Sequence, residues 1–595
     1  MVAGMERDAK TVEKVEEKNV KGPSDSSKAH PTFLLPGRPP KIGLEHDSLS
    51  LRERMKVWTK HIAGKNAYPY VVPFYYFFFK IPLQAYIFYH YVRNPSVSVF
   101  GEDNVKRCLL FMILGDIIGI NTCGGPLGFR MMLPAVTWFN LLIPGTITYP
   151  LIPGVTAIRK WWQSCAFIVY VGLYVRALRA DVVGPSEILP ILVLLSVLTP
   201  FDLVIFNASR GEHYIYALAC CVFPWDQALF GLRMCQGALW FWAGFSKIGP
   251  WMKYVNAMMI PNSAVTQFAN IFFPVTKLLY KDLSKDLKLS MFNKALTAFG
   301  VAMEIAVCPM CWFAPKLGVP LAVIFHLYIL LMMPFASVQE WNVVCIYMAV
   351  SLFGIDFDGY PAAPIPSLNP LLVLLCVFCL FAVPLYGNLF PKEVPFLIAM
   401  RPYAGNWRFT WHIVSKKAQE KFRKLTTLDS IFFEENAKLL WGGNPHFIRQ
   451  FEEFLLATCL MPHYRPMIPI VEKLCAKNNW GPNDYTYLFQ EIFGNAVFGF
   501  SLGNGCYYKE PYMRAITKIC GFEANECYLA VFEPAHHPFL GREPMCEWKV
   551  FDITNPSKKI IHGQMPFSEV EKYEPHELPV SEIEKHSLLE SKKDN

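Results

Sequence analysis

Apolar residues in this chain come in long blocks, without the single-face spacing of a soluble helix or the alternation of a half-buried strand. The blocks lie near 71–92, 108–120, 131–153, 161–178, 187–208, 213–231, 235–249, 293–314, 318–336, 340–355 and 369–391. A helix that crosses a bilayer needs about 20 such residues. Several blocks are short or broken by proline and glycine, and Pro134, Pro144, Pro150 and Pro153 keep the third from forming one straight helix. The pattern predicts an α-helical polytopic membrane protein, with about ten transmembrane helices over residues 70–392.

The flanks read differently. Residues 1–47 are Lys/Glu-rich and then Pro/Gly-rich, the composition of a disordered tail. Over 48–66, Ser50-Leu51-Arg52-Glu53 has the form of a capping box, and Leu51, Met55, Trp58 and Ile62 follow at helical spacing opposite basic residues. This predicts an amphipathic helix on the membrane surface, with a plain soluble helix as the alternative. Residues 400–560 are soluble in character and predict a small α+β C-terminal domain. Its elements are helices over 413–440 and 512–520, an alternating stretch at 495–501, a turn at Gly503-Asn504-Gly505, and strands over 527–532 and 547–552. Residues 575–595 read as a charged, disordered end.

Composition sharpens this picture. Only 17% of residues are charged, against about 25% in soluble domains. The net charge of +8 gathers in Arg52, Arg54, Lys56, Lys60 and Lys65 before the apolar region and in Arg401, Arg408, Lys416, Lys417, Lys421, Arg423 and Lys424 after it. Such flanks suit anionic membrane lipids and place both termini in the cytosol, which requires an even number of spans. The lysines between Lys277 and Lys294 prefer the same side. No aromatic-interleaved or helical basic motif of a nucleic-acid binder accompanies them. The 17 cysteines lack a disulfide spacing, and the long polar N-terminus is no cleavable signal peptide, so the first span itself would target the chain.

The candidate chemistry begins at Lys247, in the otherwise apolar, aromatic or small run Ala238–Trp251. A charge in such a run pairs, reaches the interface or works. In a low-dielectric pocket a lysine gives up its proton more readily and serves as a base. Trp242 and Trp251, with Trp240, are candidates to wall that pocket. The plain alternative is a lysine snorkelling beside Gly249-Pro250 within an interfacial tryptophan belt. His326, inside Leu321–Ala336, is either a hydrogen-bonding strut between helices or a proton-transfer partner. Glu304 either pairs with Lys247 or Arg233 or belongs to a polar substrate-binding pocket. Asp116, Asp202, Arg210, Glu212, Asp226 and Glu340 lie near block ends and read as interface-exposed. Cys308/Cys311 and Cys376/Cys379 have C-x-x-C spacing in apolar segments, which is either a redox pair such as membrane quinone reductases use or the ordinary cysteine of apolar helices. His536-His537 read as solvated loop histidines. There is no metal-box histidine spacing, no Walker A loop, no dinucleotide fingerprint and no internal repeat, which argues against di-iron desaturases, zinc intramembrane proteases and transporters built on inverted halves and leaves the cofactor unknown.

Two resemblances follow from these residues. Trp242-Ala243-Gly244-Phe245-Ser246-Lys247-Ile248 with Trp251, and Phe325-His326-Leu327 downstream, resemble motifs of the HTTM domain, the membrane domain of vitamin K-dependent gamma-carboxylase. That resemblance implies Lys247 as the base acting on a reduced quinone, and His326 beside it. It does not imply protein carboxylation, because the tail here is short and unlike the carboxylase's substrate-gripping region. Met400-Arg401-Pro402-Tyr403-Ala404-Gly405-Asn406-Trp407, Asn495–Gly505, Cys520-Gly521-Phe522-Glu523 and Glu526-Cys527 resemble elements of a multi-pass membrane family of unknown function, over about residues 70–555. Three readings follow. The first is a membrane enzyme on a lipophilic quinone or lipid with Lys247 and His326 catalytic. The second is a non-catalytic lipid-binding or transport protein. The third is a membrane scaffold whose tail binds partners.

Overall fold

Helices in the apolar region stop where proline, glycine and capping side chains interrupt them. The computed structural model describes residues 49–61, 76–121, 140–270, 272–282, 286–332, 339–354, 364–402, 404–425, 435, 456–489, 494, 497–498 and 509–588. The expected tail at 1–47, the turn at 503–505 and most of the alternating stretch at 495–501 lie outside them. The main helices are α1 (Leu51–His61), α2 (Glu102–Ile117), α3 (Trp161–Arg179), α4 (Pro185–Leu198), α5 (Trp225–Ser246), α6 (Met252–Met259), α7 (Met291–Phe313), α8 (Pro315–Met332) and α9 (Gln339–Phe353). A further helix, α10 (Pro370–Leu389), carries a π-helical turn at Cys376–Ala382. Ser290 caps α7 by accepting from the Asn293 amide, and Asn369 caps α10 from the Leu371 amide.

Among the described residues, α7, α8 and α10 are long and apolar enough to cross a membrane. The expectation of about ten spans is therefore not met there. Among the described residues, some of the other apolar blocks are shortened by breaks or carry buried charge. For example, α2 runs 16 residues and includes Glu102, Asp103, Lys106, Arg107 and Asp116. The outward faces of the three long helices remain apolar and exposed, at Phe299, Phe313, Ile324, Leu331, Leu371 and Phe378.

Two glycines let α5 and α7 come close. A Cβ on Gly244 would stand 2.6 Å from Ile305 Cγ1 and 3.1 Å from the Ile305 backbone nitrogen, and one on Gly237 would stand 3.0 Å from Cys308 Sγ. They are seven residues apart, two helical turns, and so share one stripe.

The tail forms a five-stranded antiparallel sheet in the order β2-β1-β3-β4-β5. Its strands are β1 (Phe409–Ser415), β2 (Tyr485–Phe489), β3 (Cys527–Glu533), β4 (Met545–Asp552) and β5 (Lys559–Pro566). The central strand β3 is buried along its whole length, so both faces of the sheet are covered. Phe409, Trp411 and Ile413 face a core with α11 (Met467–Asn478) and α6, while Val414 faces α12 (Glu510–Cys520). The helix expected over 413–440 thus begins as the end of a strand, because burial on both faces hides the alternation a one-sided strand would show; a 3-10 helix follows at Gln419–Leu425, and most of 426–440 lies outside the described residues. The sheet and its cover run past residue 560. A last helix, α13 (Val580–Lys585), buries Ile583, so the described part of the 575–595 end is folded.

The N-terminal helix α1 has the expected capping box: the Ser50 amide donates to Glu53 Oε2 at 2.8 Å, and the Glu53 amide to Ser50 Oγ at 3.3 Å. Part of its apolar face packs inside the protein. Leu51 and Met55 are buried in the tail core, and Arg52 grips Glu472 of α11 through both carboxylate oxygens at 2.6 Å. Arg408 and Lys421, grouped by sequence with headgroup-facing residues, likewise pair with Glu533 and Glu526 at 2.6 Å.

Lys392, at the end of α10, bonds Glu547 of β4, and Lys253 of α6 bonds Glu571. Burial pushes the Glu547 carboxyl up, but the ammonium groups of Lys392 and Lys549 outweigh it and hold the group at about 2. His412 and His463 are fully buried. Burial lowers each to about 3 from 6.5, with the Arg465 charge adding to the effect at His463.

Two outcomes are expected. As pH falls through 6.5, the unfolded chain protonates both histidines, whereas the folded chain does so only near 3. Stability is therefore complete above 6.5 and drains below it, by about 1.4 kcal/mol per pH unit for each histidine. Thermal melting of the full chain at pH 7.5 and 5 checks this, and His412→Gln should reduce the drop; an unchanged midpoint would show that both groups charge freely in the fold. Separately, Gly244→Ala should cost about 1–3 kcal/mol by overpacking. Gly172→Ala, whose added Cβ meets nothing within 4 Å, should leave stability unchanged or raise it by up to about 1 kcal/mol. Equal effects of the two on the melting midpoint would contradict the close contact.

Candidate functional site

The helix α5 ends at Ser246 because Gly249-Pro250 follows, and Lys247 occupies its C-cap. Trp240, Ala243 and Lys247 lie at i, i+3 and i+7, on one face of this end of the helix. That face borders a cavity of about 390 Å³ between α5, α6, α7, α8 and α9. Its wall is largely apolar, with Leu239, Val255, Met259, Leu296, Leu321 and Ile329 among the lining residues. Phe299, Ile324 and Tyr328 belong both to the lining and to the exposed apolar surface of α7 and α8, so the cavity reaches that surface.

The polar end of the cavity is an ion pair. Lys247 Nζ donates to Glu304 Oε1 at 2.7 Å and to Oε2 at 2.6 Å, with both side chains buried. The close approach at Gly244 makes this possible, since Glu304 and Ile305 are the residues of α7 that it meets. Of the two partners open to Glu304 in the sequence, Lys247 is the one engaged. Arg233 instead donates to the Leu352 carbonyl at 2.7 Å.

His326 is held from both sides. The Trp240 indole donates to His326 Nε2 at 2.9 Å. An indole N–H only donates, so Nε2 accepts and the ring proton sits on Nδ1, which donates to Asn342 Oδ1 at 2.7 Å. The imidazole is therefore neutral. A second histidine repeats the arrangement. The Trp341 indole donates to His213 Nδ1 at 3.0 Å, and His213 Nε2 faces Gln236 Oε1 at 3.2 Å. Gln236 and Trp240 stand one turn apart on α5, and Trp341 and Asn342 are neighbours on α9, so two helices hold both rings. Trp240, Trp341, Asn342 and His326 all line the cavity.

The other two candidate tryptophans stand outside the cavity lining. Trp242 donates to the Leu380 carbonyl of α10 at 2.7 Å, and Trp251 to the Ser246 carbonyl at 3.2 Å. Two residues beyond Trp240, Trp242 is turned about 200° around α5 and faces α10. Trp251 packs against Gly249, beneath the helix end.

Five charged residues read as interface-exposed are buried. Arg159 pairs with Asp202 and Lys80 with Glu340, each at 2.7 Å, and Arg210 stands 3.6 Å from both Asp116 and Glu212. Arg210 also lies over the Trp341 ring. Sequence position near a block end carried no signal for this, because the partners come from distant segments. Asp226 is exposed, as its position suggested.

His537 was missed as well. It stacks on Phe245 with ring centroids 4.4 Å apart and 6° between planes, and its Nε2 donates to the Phe245 carbonyl at 3.0 Å. A tail residue thus adds a hydrogen bond to a carbonyl in the last turn of the helix that carries Lys247, one that also accepts from the Ile248 amide at 3.1 Å. Cys308, Cys311, Cys376 and Cys379 are free thiols. Among the described residues, no group of three His, Cys, Asp or Glu is arranged to hold a metal ion.

Comparison with known proteins bears on the chain as a whole. No curated protein and no solved structure matches it, and the resemblance to the carboxylase membrane domain gains no support from these comparisons. Residues 45–555 match the family model described as "Transmembrane protein of unknown function (DUF3556)". That match spans most of the chain, and the protein belongs to this transmembrane family.

Proposed function

We propose that this membrane protein takes a lipophilic small molecule from the bilayer into the cavity beside Lys247. The supporting observation is an apolar cavity that reaches the exposed surface of α7 and α8 and carries a buried ion pair inside. A molecule entering from the hydrocarbon would keep its chain among Leu296, Leu321 and Ile324 and bring its polar end to Lys247, Glu304 and His326. Cavities of about 300–1,000 Å³ with a few convergent polar groups are the usual form of small-molecule sites.

A second reading is an enzyme in which Lys247 acts as base, favoured by the direct contact of Nζ with both Glu304 oxygens. On that reading the ammonium first passes a proton to Glu304, and the free amine then takes one from the substrate. His326, with both ring nitrogens engaged, would orient the substrate.

Gly300 provides the test. It lines the cavity, and a Cβ placed there meets nothing within 4 Å. Gly300→Phe should therefore fold normally and block the cavity. Mass spectrometry of organic extracts from protein purified with its native lipid should find a lipophilic molecule in the wild type that is depleted at least about tenfold in the variant, equivalent to about 1.4 kcal/mol of binding. Identical extracts from two equally stable proteins would defeat the proposal. Lys247→Arg separates the two readings: it keeps the charge but supplies no base. Retained binding with accumulation of unprocessed ligand favours the enzyme, whereas an unchanged extract favours binding or transport.

A further inference from the structure

Resting on that reading of the cavity, we infer that its ligand carries an uncharged polar head that accepts a hydrogen bond, such as a ketone, aldehyde, ester or hydroxyl oxygen. The inference comes from the charge balance of the wall. Among the described residues lining the cavity, Lys247 and Glu304 are the two that carry full charges, and they cancel. His326 is neutral, because Nε2 accepts from Trp240. Asn256 and Thr297 spend hydrogen-bonding capacity on each other at 2.9 Å, and Thr297 donates onward to the Asn293 carbonyl at 2.8 Å.

An anionic head would meet Glu304 as well as Lys247, and a cationic head the reverse. Either would add an uncompensated charge to an apolar cavity, which is costly. The pair nevertheless leaves something to offer. An ammonium has three hydrogens, and two are directed at the Glu304 oxygens. Among the described residues no acceptor takes the third, and a donor on a charged group makes a stronger hydrogen bond than a neutral one. A neutral oxygen takes that bond without disturbing the balance.

The balance also predicts how selectivity changes. Glu304→Gln keeps the shape of the wall and leaves Lys247 uncompensated, so the cavity should then admit anions. Lys247→Met leaves Glu304 uncompensated, so it should then admit cations. The test uses the full-length protein in lipid nanodiscs and three photoreactive probes with one common diazirine-bearing chain, ending in a methyl ketone, a sulfonate or a trimethylammonium group. Crosslinks within Met291–Phe313 and Pro315–Met332 are quantified by peptide mass spectrometry. In the wild type the ketone should label at least about tenfold more than either charged probe. Glu304→Gln should raise the sulfonate yield at least about tenfold, and Lys247→Met should do the same for the ammonium. A charged probe that labels the wild-type cavity as well as the ketone overturns the inference and leaves the cavity reading intact. So do charged-probe yields that stay flat in whichever variant folds. If no probe labels these helices in any of the proteins, the cavity reading falls and this inference falls with it.

Discussion

Lys247 and Glu304 hold each other through both carboxylate oxygens in a wall that is otherwise mostly apolar. Taking two charges out of water costs several kcal/mol per ion, and only a close, hydrogen-bonded pair offsets it. The approach depends on Gly244, where any side chain on α5 would collide with Ile305 of α7. That contact sets the register of α5 against α7. With the register set, Trp240 meets His326, and Gln236 meets His213 one turn earlier. The polar end of the cavity and its indole–imidazole supports therefore follow from one helix contact.

The same constraint governs the rest of the helical region. Arg159 and Asp202, Lys80 and Glu340, and Arg210 with Asp116 and Glu212 are buried charges brought together from separate segments. Each neutral histidine beside the cavity has both ring nitrogens engaged, which fixes its tautomer and its orientation. The tail joins this arrangement. His537 covers the end of α5, while Lys392 with Glu547 and Lys253 with Glu571 tie the sheet domain to α10 and α6. The sheet domain thus abuts the helix end that presents Lys247.

Several features were legible in the sequence. Lys247, Glu304 and His326 stood out because polar groups inside apolar runs are expensive, and the structure brings all three to one cavity. The capping box at Ser50, the helix ending at Cys520 and the strands at 527 and 547 were also readable, each from a local signal of a few residues. Trp242 and Trp251 were misplaced because proximity in sequence to Lys247 says little about which face of a helix a ring occupies. The strand at Phe409–Ser415 was hidden because both faces of the sheet are covered. The helix at Leu51 showed its amphipathic face plainly, but an apolar stripe looks the same whether it meets lipid or the core of a tail.

The sequence by itself determined the class of the protein. Long apolar blocks with charged flanks require a membrane for a solvent, and the rare polar groups within those blocks mark where something other than packing is needed. Only the tertiary structure decided which charge compensates which, since pairs such as Lys247 and Glu304 are 57 residues apart in the chain and their meeting depends on a glycine contact between two helices. It also decided that the histidines are neutral, that the tail closes over the end of α5, and that the cavity reaches the apolar surface. Each of these depends on distances between segments, and composition and spacing along a single chain do not encode those distances locally.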